Sequence, residues 1–182
     1  MQVRHPFSKN PALPRIWLVS DARNDAMLEQ ALARLPRGSG VILRHYHLSD
    51  DARVTRIRRL TRIARARGHA VIVAGTMAAA RRMGADGAYG PAAALGGGGA
   101  GLRLVTVHSL REIGRARRAD AVLLSPVFPT RSHPAGAVLG PVRFRLLAAR
   151  ASVPVIALGG MSASRARQLN AAHWAGIDAF LR

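Results

Sequence analysis

Cysteine is absent from this 182-residue chain, which excludes disulfides, thiolate metal sites and thiolate nucleophiles. Aromatic residues amount to only 4%, and no motif interleaves them with basic residues as base-stacking surfaces do. Specific nucleic-acid binding is therefore not expected. No run approaches the roughly 20 apolar residues of a membrane span. Met1 to Pro14 is polar and proline-containing, with no apolar core of a secretion signal, and is read as a flexible N-terminal segment. A soluble, cytoplasmic protein without membrane association is expected. Acids are scarce as well: nine against 28 basic residues, all but Lys9 arginine, for a net charge of +19. Such a surface attracts anions in general, from phosphorylated metabolites to acidic proteins.

Two stretches dominate what is present. ADAVLLSPVFPTRSHPAG, Ala119 to Gly136, and VPVIALGGM, Val153 to Met161, are short apolar runs that break into Pro, Gly, Ser and Thr. Buried parallel strands deliver functional loops in this way. The first ends in Ser125, Thr130, Arg131, Ser132 and His133. The second ends in Gly159-Gly160, where bare backbone amides can approach an anion with no Cβ in the way. Two such strand ends point to a phosphate-bearing small molecule at the carboxyl edge of a parallel sheet.

Around them the chain alternates strands and helices. Arg15 to Ser20 is read as a strand, with Asn24 or Asp25 capping a helix that runs to about Leu35. Gly40 to Arg44 is the second strand, and Ser49 precedes a helix from Asp50 to about Arg67 with acids in its first turn. On that helix Val54, Ile57, Leu60 and Ile63 recur every third position, predicting an apolar stripe with solvated arginines around it. His69 to Ala74 holds the third strand and Thr76 to Met83 a short helix. The fourth strand follows Asp86, and Leu102 to Val107 is the fifth. A helix from His108 to Arg118, a sixth strand from Ala121 to Ser125 and a helix from Pro141 to Arg150 come next. Val153 to Leu158 is the seventh strand, Ser162 to about Trp174 a helix and Ile177 to Leu181 the eighth strand. Asp86, Asp120 and Asp178 look like one repeated punctuation between a helix and the next strand, the mark of a chain built from βα units. Pro91 to Gly101 is low in complexity; no GKS or GKT follows its glycines, so a flexible loop is expected rather than a phosphate cradle.

Eight strands in this alternation predict an α/β fold, a minimal (β/α)8 TIM barrel over residues 15–182 that lacks the helix after strand eight. A trimmed barrel leaves one flank thinly covered, and a tendency to form a homodimer is expected from that.

The order of the motifs resembles the thiamine phosphate synthase and TenI family, small (β/α)8 barrels of thiamine biosynthesis. The resemblance is carried by IWLVSD (Ile16 to Asp21), VILR (Val41 to Arg44), GADGAYG (Gly84 to Gly90), VTVHSL (Val105 to Leu110), SPVFPTRSH (Ser125 to His133) and VIALGGM (Val155 to Met161). It implies a transferase that joins an aminopyrimidine diphosphate to a thiazole phosphate, releasing pyrophosphate with help from Mg²⁺. That chemistry needs cations and a metal for the leaving diphosphate and a separate anion pocket for the thiazole phosphate.

The resemblance implies that the thiazole-phosphate half is partly retained. Gly159 and Gly160 match the family's Gly-Gly after strand seven, and Ser125 ends strand six with a hydroxyl. Thr130 and Ser132 match the two hydroxyls of its Thr-x-Thr-Lys loop, with His133 where the lysine stands and Thr106 in place of a serine. The serine after strand eight falls on Leu181. The diphosphate half departs from the pattern. Of Gln-Leu-Arg-x-Lys only Arg44 remains, with Ile42 and Tyr46 at the Gln and Lys positions. Asn-Asp falls on Ala74-Gly75, and small apolar residues fill Pro91 to Ala94. No metal ligand is assigned, and Mg²⁺ enters only if synthase activity is retained. The tautomerase branch carries a histidine where Pro126 stands, so His108 and His133 are the remaining candidate acid/base residues. His45 and His47 flank Tyr46 at an i, i+2 spacing that would suit two metal ligands, with no third evident. Synthase-like transferase, thiazole tautomerase and non-catalytic phosphate-binding paralogue all stay open.

Overall fold

A computed structural model describes residues 13–96, 100–131 and 136–180. Eight parallel strands close into a barrel in sequence order: β1 (Ile16–Val19), β2 (Gly40–Leu43), β3 (Ala70–Ala74), β4 (Gly87–Gly90), β5 (Leu102–Val107), β6 (Ala121–Leu124), β7 (Val155–Ala157) and β8 (His173–Gly176). β8 returns to pair with β1, with Trp17 opposite Ala175. The helices between them are α1 (Leu28–Arg34), α2 (Asp50–Ala66), α3 (Met77–Arg82), α4 (Ala92–Leu95), α5 (Leu110–Arg115), α6 (Gly140–Ala148) and α7 (Ala163–Leu169).

Period-two alternation along each strand splits the core into two layers. Trp17, Ile42, Ile72, Leu104, Leu123 and Ile156 fill the barrel, while Leu18, Leu43, Val71, Val105 and Leu124 pack outward against the helices. Trp17 is fully buried and donates its indole N–H to the Pro14 carbonyl at 2.8 Å. A Cβ on the neighbouring Gly40 would overlap the indole ring, so glycine is what lets so large a side chain plug the barrel.

Two of the three punctuating aspartates share one job. Asp86, ahead of β4, accepts the main-chain N–H of Val71, the second residue of β3, at 2.8 Å, and Asp120, ahead of β6, accepts that of Arg103, the second residue of β5, at 2.7 Å. Each carboxylate ties the start of its strand to the strand before. Asp178 does not belong with them, and the expected eighth strand is corrected here: β8 begins at His173, four residues earlier than Ile177, and Asp178 follows it. The preceding helix stops at Leu169 because Asn170 adopts a left-handed conformation, φ +54°, that closes the helix end.

Two further expectations are corrected. Asn24 does not cap a helix: its Nδ2 donates to the carbonyls of Val19 (3.0 Å) and Ile177 (3.1 Å), stapling the end of β1 to the chain leaving β8. Nor are the arginines of α2 simply solvated. The apolar stripe packs as expected, with Ile57 and Leu60 fully buried, but Arg56 grips Asp25 and Glu29, Arg53 donates to the carbonyls of Arg44 and Ala74, and Arg65 pairs with Asp86. A guanidinium offers five donors, so one side chain joins two elements. Residues 1–12 of the N-terminal segment, Gly97 to Gly99, and Leu181 lie outside the described residues.

Candidate functional site at the barrel mouth

Where the strands end, residues from β4, β5 and β8 and from the segments that follow β1, β2, β6 and β7 surround a cavity of about 1140 Å³. Arg44, Thr106, His108, Ser125, Thr130, Gly159 and Gly160, picked out from the sequence and scattered over more than a hundred positions, all line it. Ser132 and His133 lie outside the described residues. The lining also includes Arg131, noted in the sequence at the end of the strand-six stretch, together with Arg23, Tyr89, Arg165 and Asp178, which sequence reasoning did not single out as site residues. Arg165 had a readable signal, four positions after Met161 on the helix that follows Gly-Gly. Arg23 and Asp178 had none, because their proximity depends on barrel closure. Among the described lining residues four arginines face one carboxylate, so the cavity is electropositive.

Two sides differ in what their side chains are already doing. On the β1–β2 side, Arg44 donates to the Ser20 carbonyl at 2.9 Å and to Asp21 Oδ2 at 2.7 Å, while Arg23 Nε holds Asp21 Oδ1 at 2.9 Å. Burial opposes the charged form of Asp21, yet the Arg23 and Arg44 contacts outweigh it and hold its carboxyl below the usual range. Burial raises the Tyr89 phenol, keeping its proton on as a donor. On the β5–β6 side, His108 Nδ1 lies 2.7 Å from the Ser125 carbonyl, an acceptor that requires the proton on Nδ1 and leaves Nε2 as the proton-accepting nitrogen.

The β7 turn is built on glycine for two reasons. Gly159 and Gly160 have φ of +95° and +59°, and the backbone of the β6 loop presses against both. Val127 N–H donates to the Leu158 carbonyl at 2.9 Å and Phe128 N–H to that of Gly159 at 3.1 Å, zipping turn to loop. Arg165 stacks 4.7 Å over the Phe128 ring and donates to the Gly160 carbonyl. The residues that follow strand eight at the mouth are Ile177 to Ala179, with the Asp178 carboxylate 3.5 Å from Arg23.

His45 and His47 do converge, but on one carboxylate. Their Nε2 atoms lie 3.2 and 3.0 Å from the two oxygens of Asp25, which also accepts from Arg56 Nε at 2.8 Å. His45 sits in the left-handed region, φ +48°, buried behind β2, where Arg44 N–H donates to Ser20 Oγ and the Ser20 hydroxyl in turn faces His45 Nδ1 at 3.2 Å. Among the described residues no group of three or more His, Asp or Glu is arranged to hold a metal ion. A resident Mg²⁺ in this kind of barrel needs oxygen ligands at the mouth. Both oxygens of Asp21 are engaged by arginines, so the described residues do not fit one.

The buried histidines make stability depend on pH. Burial pushes His45 and His69 below the ordinary histidine pKa, Asp25 only partly countering it for His45. The unfolded chain then takes up protons first, so stability is full above about pH 6.5 and declines as pH falls below it. Asp21, Asp25 and Glu29 are also held low: for Glu29 chiefly by Arg56, for Asp25 by Arg56 and His47 acting against burial. Their stabilisation is present above about pH 4 and lost as pH drops through their folded values. The melting temperature of the chain is expected to fall in two stages on acidification, and His45→Gln to flatten the first. A melting temperature constant from about pH 8 to 5 would contradict this role.

The site and fold define a class: a small (β/α)8 barrel with an electropositive cavity of hydroxyls, arginines and a Gly-Gly turn at its carboxyl face. Residues 99–180 match the family model described as thiamine monophosphate synthase, TMP-TENI. Over that stretch, less than half of its length, the chain is similar to the thiamine phosphate synthase and TenI family. No curated protein matches it. Among solved structures it is similar to thiamine phosphate pyrophosphorylase from Pyrococcus furiosus, at 21% identity and TM-score 0.72 over 90% of this chain and 85% of that one. The enzyme of the same name from Bacteroides thetaiotaomicron follows at 14% identity and TM-score 0.56, over 91% and 83%. An HpcH/HpaI aldolase/citrate lyase family protein from Burkholderia cenocepacia superposes at 15% identity and TM-score 0.62, over 90% and 87%. At these identities the likenesses speak to the barrel alone. No helix among the described residues is long and apolar enough to cross a membrane.

Proposed function

We propose that the barrel mouth binds a thiazole phosphate, or a small phosphate ester of that kind, and that the diphosphate and Mg²⁺ half of a synthase site has degenerated. The observation that carries this reading is the convergence of Arg44, Thr106, His108, Ser125, Thr130, Gly159 and Gly160 on one cavity, whose one carboxylate among the described residues, Asp178, faces Arg23, while Asp21 beside it is held by two arginines. The phosphate would sit by the Gly159-Gly160 turn within reach of Thr130 and Arg165, and the heterocycle toward Thr106 and His108. Hydroxyls and guanidinium groups suit a dianion there, since charge-assisted hydrogen bonds are about twice as strong as neutral ones.

A second reading, a thiazole tautomerase, is favoured by His108. With its proton on Nδ1 held by the Ser125 carbonyl, Nε2 is left to take a proton from a bound heterocycle and return it. Self-association stays part of the proposal: α6 leaves Val142 and Leu146 72% and 66% exposed on one face, where a second copy would pack.

Calorimetric titration with thiazole phosphate tests the binding reading. The parent is expected to bind, and His108→Gln to bind within about threefold of it, because a histidine beside the heterocycle carries little of the phosphate's affinity. If the parent shows no heat and no thermal stabilisation at millimolar ligand, the assignment of the mouth falls. Under the tautomerase reading His108→Gln abolishes exchange of the thiazole's acidic proton for deuterium, followed by NMR, without abolishing binding. Exchange that persists in the variant removes His108 from that role.

A further inference from the structure

Away from the mouth, the flank of the barrel carries a second concentration of arginine. Along β5, Leu104 faces the barrel interior while Val105 packs outward, and the same alternation turns Arg103 outward into the helical layer. That layer is thin here, because α4 ends after four residues at Gly96, φ +61°. The result is a notch of about 330 Å³ between α4, β5 and α5. Leu95 and Val105 form part of its floor. Arg103 enters from the strand, Arg115 from the last turn of α5, and Arg117 and Arg118 from the turn that follows.

Among the described residues four guanidinium groups line this notch and no carboxylate does. Asp120, just beyond the turn, directs its Oδ2 to the main-chain N–H of Arg103. Arg103 Nε is shielded from solvent, so part of this positive charge lies in a medium of low dielectric, where repulsion between cations and attraction for an anion are both magnified. The volume lies at the small end of ligand pockets. No residue is shared with the mouth cavity.

We propose that this notch is a second anion site, which takes the diphosphate group of a small molecule. Arginine pairs with phosphate oxygens through two parallel hydrogen bonds, and several planes around one small volume suit an anion with several charged oxygens better than a lone carboxylate. The apolar floor lies under the organic part of such a ligand. This site is independent of what the mouth binds.

Calorimetry on the full chain with ADP and with inorganic pyrophosphate, at constant ionic strength, tests it. Both are expected to bind, and the pair Arg115→Glu with Arg118→Glu to weaken them at least about tenfold without lowering the melting temperature, since both side chains are exposed. A charge-matched control, Arg58→Glu with Arg62→Glu on α2, is expected to leave affinity within about twofold. Tighter binding of ADP assigns the floor to an organic body; equal affinities assign the site to the inorganic anion, and either upholds it. Equal weakening by the α2 pair would reduce the binding to diffuse attraction by a basic surface and overturn the proposal. So would loss of binding in Arg44→Gln alone, which would move the anion to the mouth, or no binding up to about 5 mM.

Discussion

Gly160→Ala is expected to cost the protein both its ligand and part of its stability. The residue has φ +59°, and a Cβ there would overlap the Pro129 carbonyl oxygen and sit 3.0 Å from Phe128 Cβ. At Gly159, φ +95°, a Cβ would lie 2.7 Å from Pro126 Cα. These neighbours are backbone or the root of a side chain, so relief requires moving the β6 loop rather than rotating a side chain. The same loop carries Thr130 and Arg131 to the cavity, and it is tied to β7 through the Gly159 carbonyl. A residue strained in this region costs about 1–3 kcal/mol. Denaturant unfolding of Gly160→Ala should show a loss of that size, and thiazole-phosphate affinity should fall at least about tenfold as the loop shifts. Thr130→Val separates the two effects, because it keeps the shape and removes the hydroxyl. It should leave unfolding nearly unchanged while weakening the phosphate by about one hydrogen bond, ~0.5–1.5 kcal/mol. If Gly160→Ala binds as the parent does, the turn is not the phosphate site. If it is also as stable, the close packing of turn on loop is wrong.

The order of eight strands was legible because parallel barrel strands are short β-branched runs between turn residues, and seven of them lie within about two residues of where that pattern places them. The eighth failed for a physical reason. Gly176-Ile177-Asp178 has the local look of Gly84-Ala85-Asp86, but an aspartate marks a strand start only when its carboxylate reaches the amide of the strand before, as Asp86 and Asp120 do. Asn170, closing α7 in a left-handed turn, sets the boundary instead. At the mouth, the hydroxyls and glycines were readable because they sit at strand ends. The partners of the arginines were not: Asp21 and Arg44, Asp25 and Arg56, and Arg65 and Asp86 are 21 to 31 residues apart in the chain, and only closure brings each pair together. A composition of +19 therefore reads from sequence as a uniformly solvated charge, whereas in the fold part of it holds helices to strands and part lines two cavities.

Mixing an aminopyrimidine diphosphate, thiazole phosphate and Mg²⁺ with the protein is expected to give no thiamine phosphate above the uncatalysed rate, even at high protein concentration. Departure of pyrophosphate requires groups placed to take up charge as the bond breaks, and removal of one such donor commonly lowers the rate by about 10²–10³. At the β2 end Ile42 and Tyr46 stand at the positions where the family's Gln and Lys are expected, and β3 runs into Ala74-Gly75. Of the acids near this side, Asp21 is held by Arg23 and Arg44, and Asp25 by His45, His47 and Arg56 behind the strand. Releasing Asp21 for Mg²⁺ would break two charged contacts and leave Arg44 beside the metal, an arrangement that repels rather than recruits it. Rate against Mg²⁺ concentration should accordingly be flat. Product that rises with Mg²⁺ would mean that the diphosphate brings the metal with it and that Arg23 and Arg44 turn from Asp21 to the leaving group. Arg44→Gln would then abolish turnover. Product independent of Mg²⁺ would make guanidinium groups sufficient to grip the departing anion. Either would overturn the degenerate half of the proposal while leaving the thiazole-phosphate cup in place.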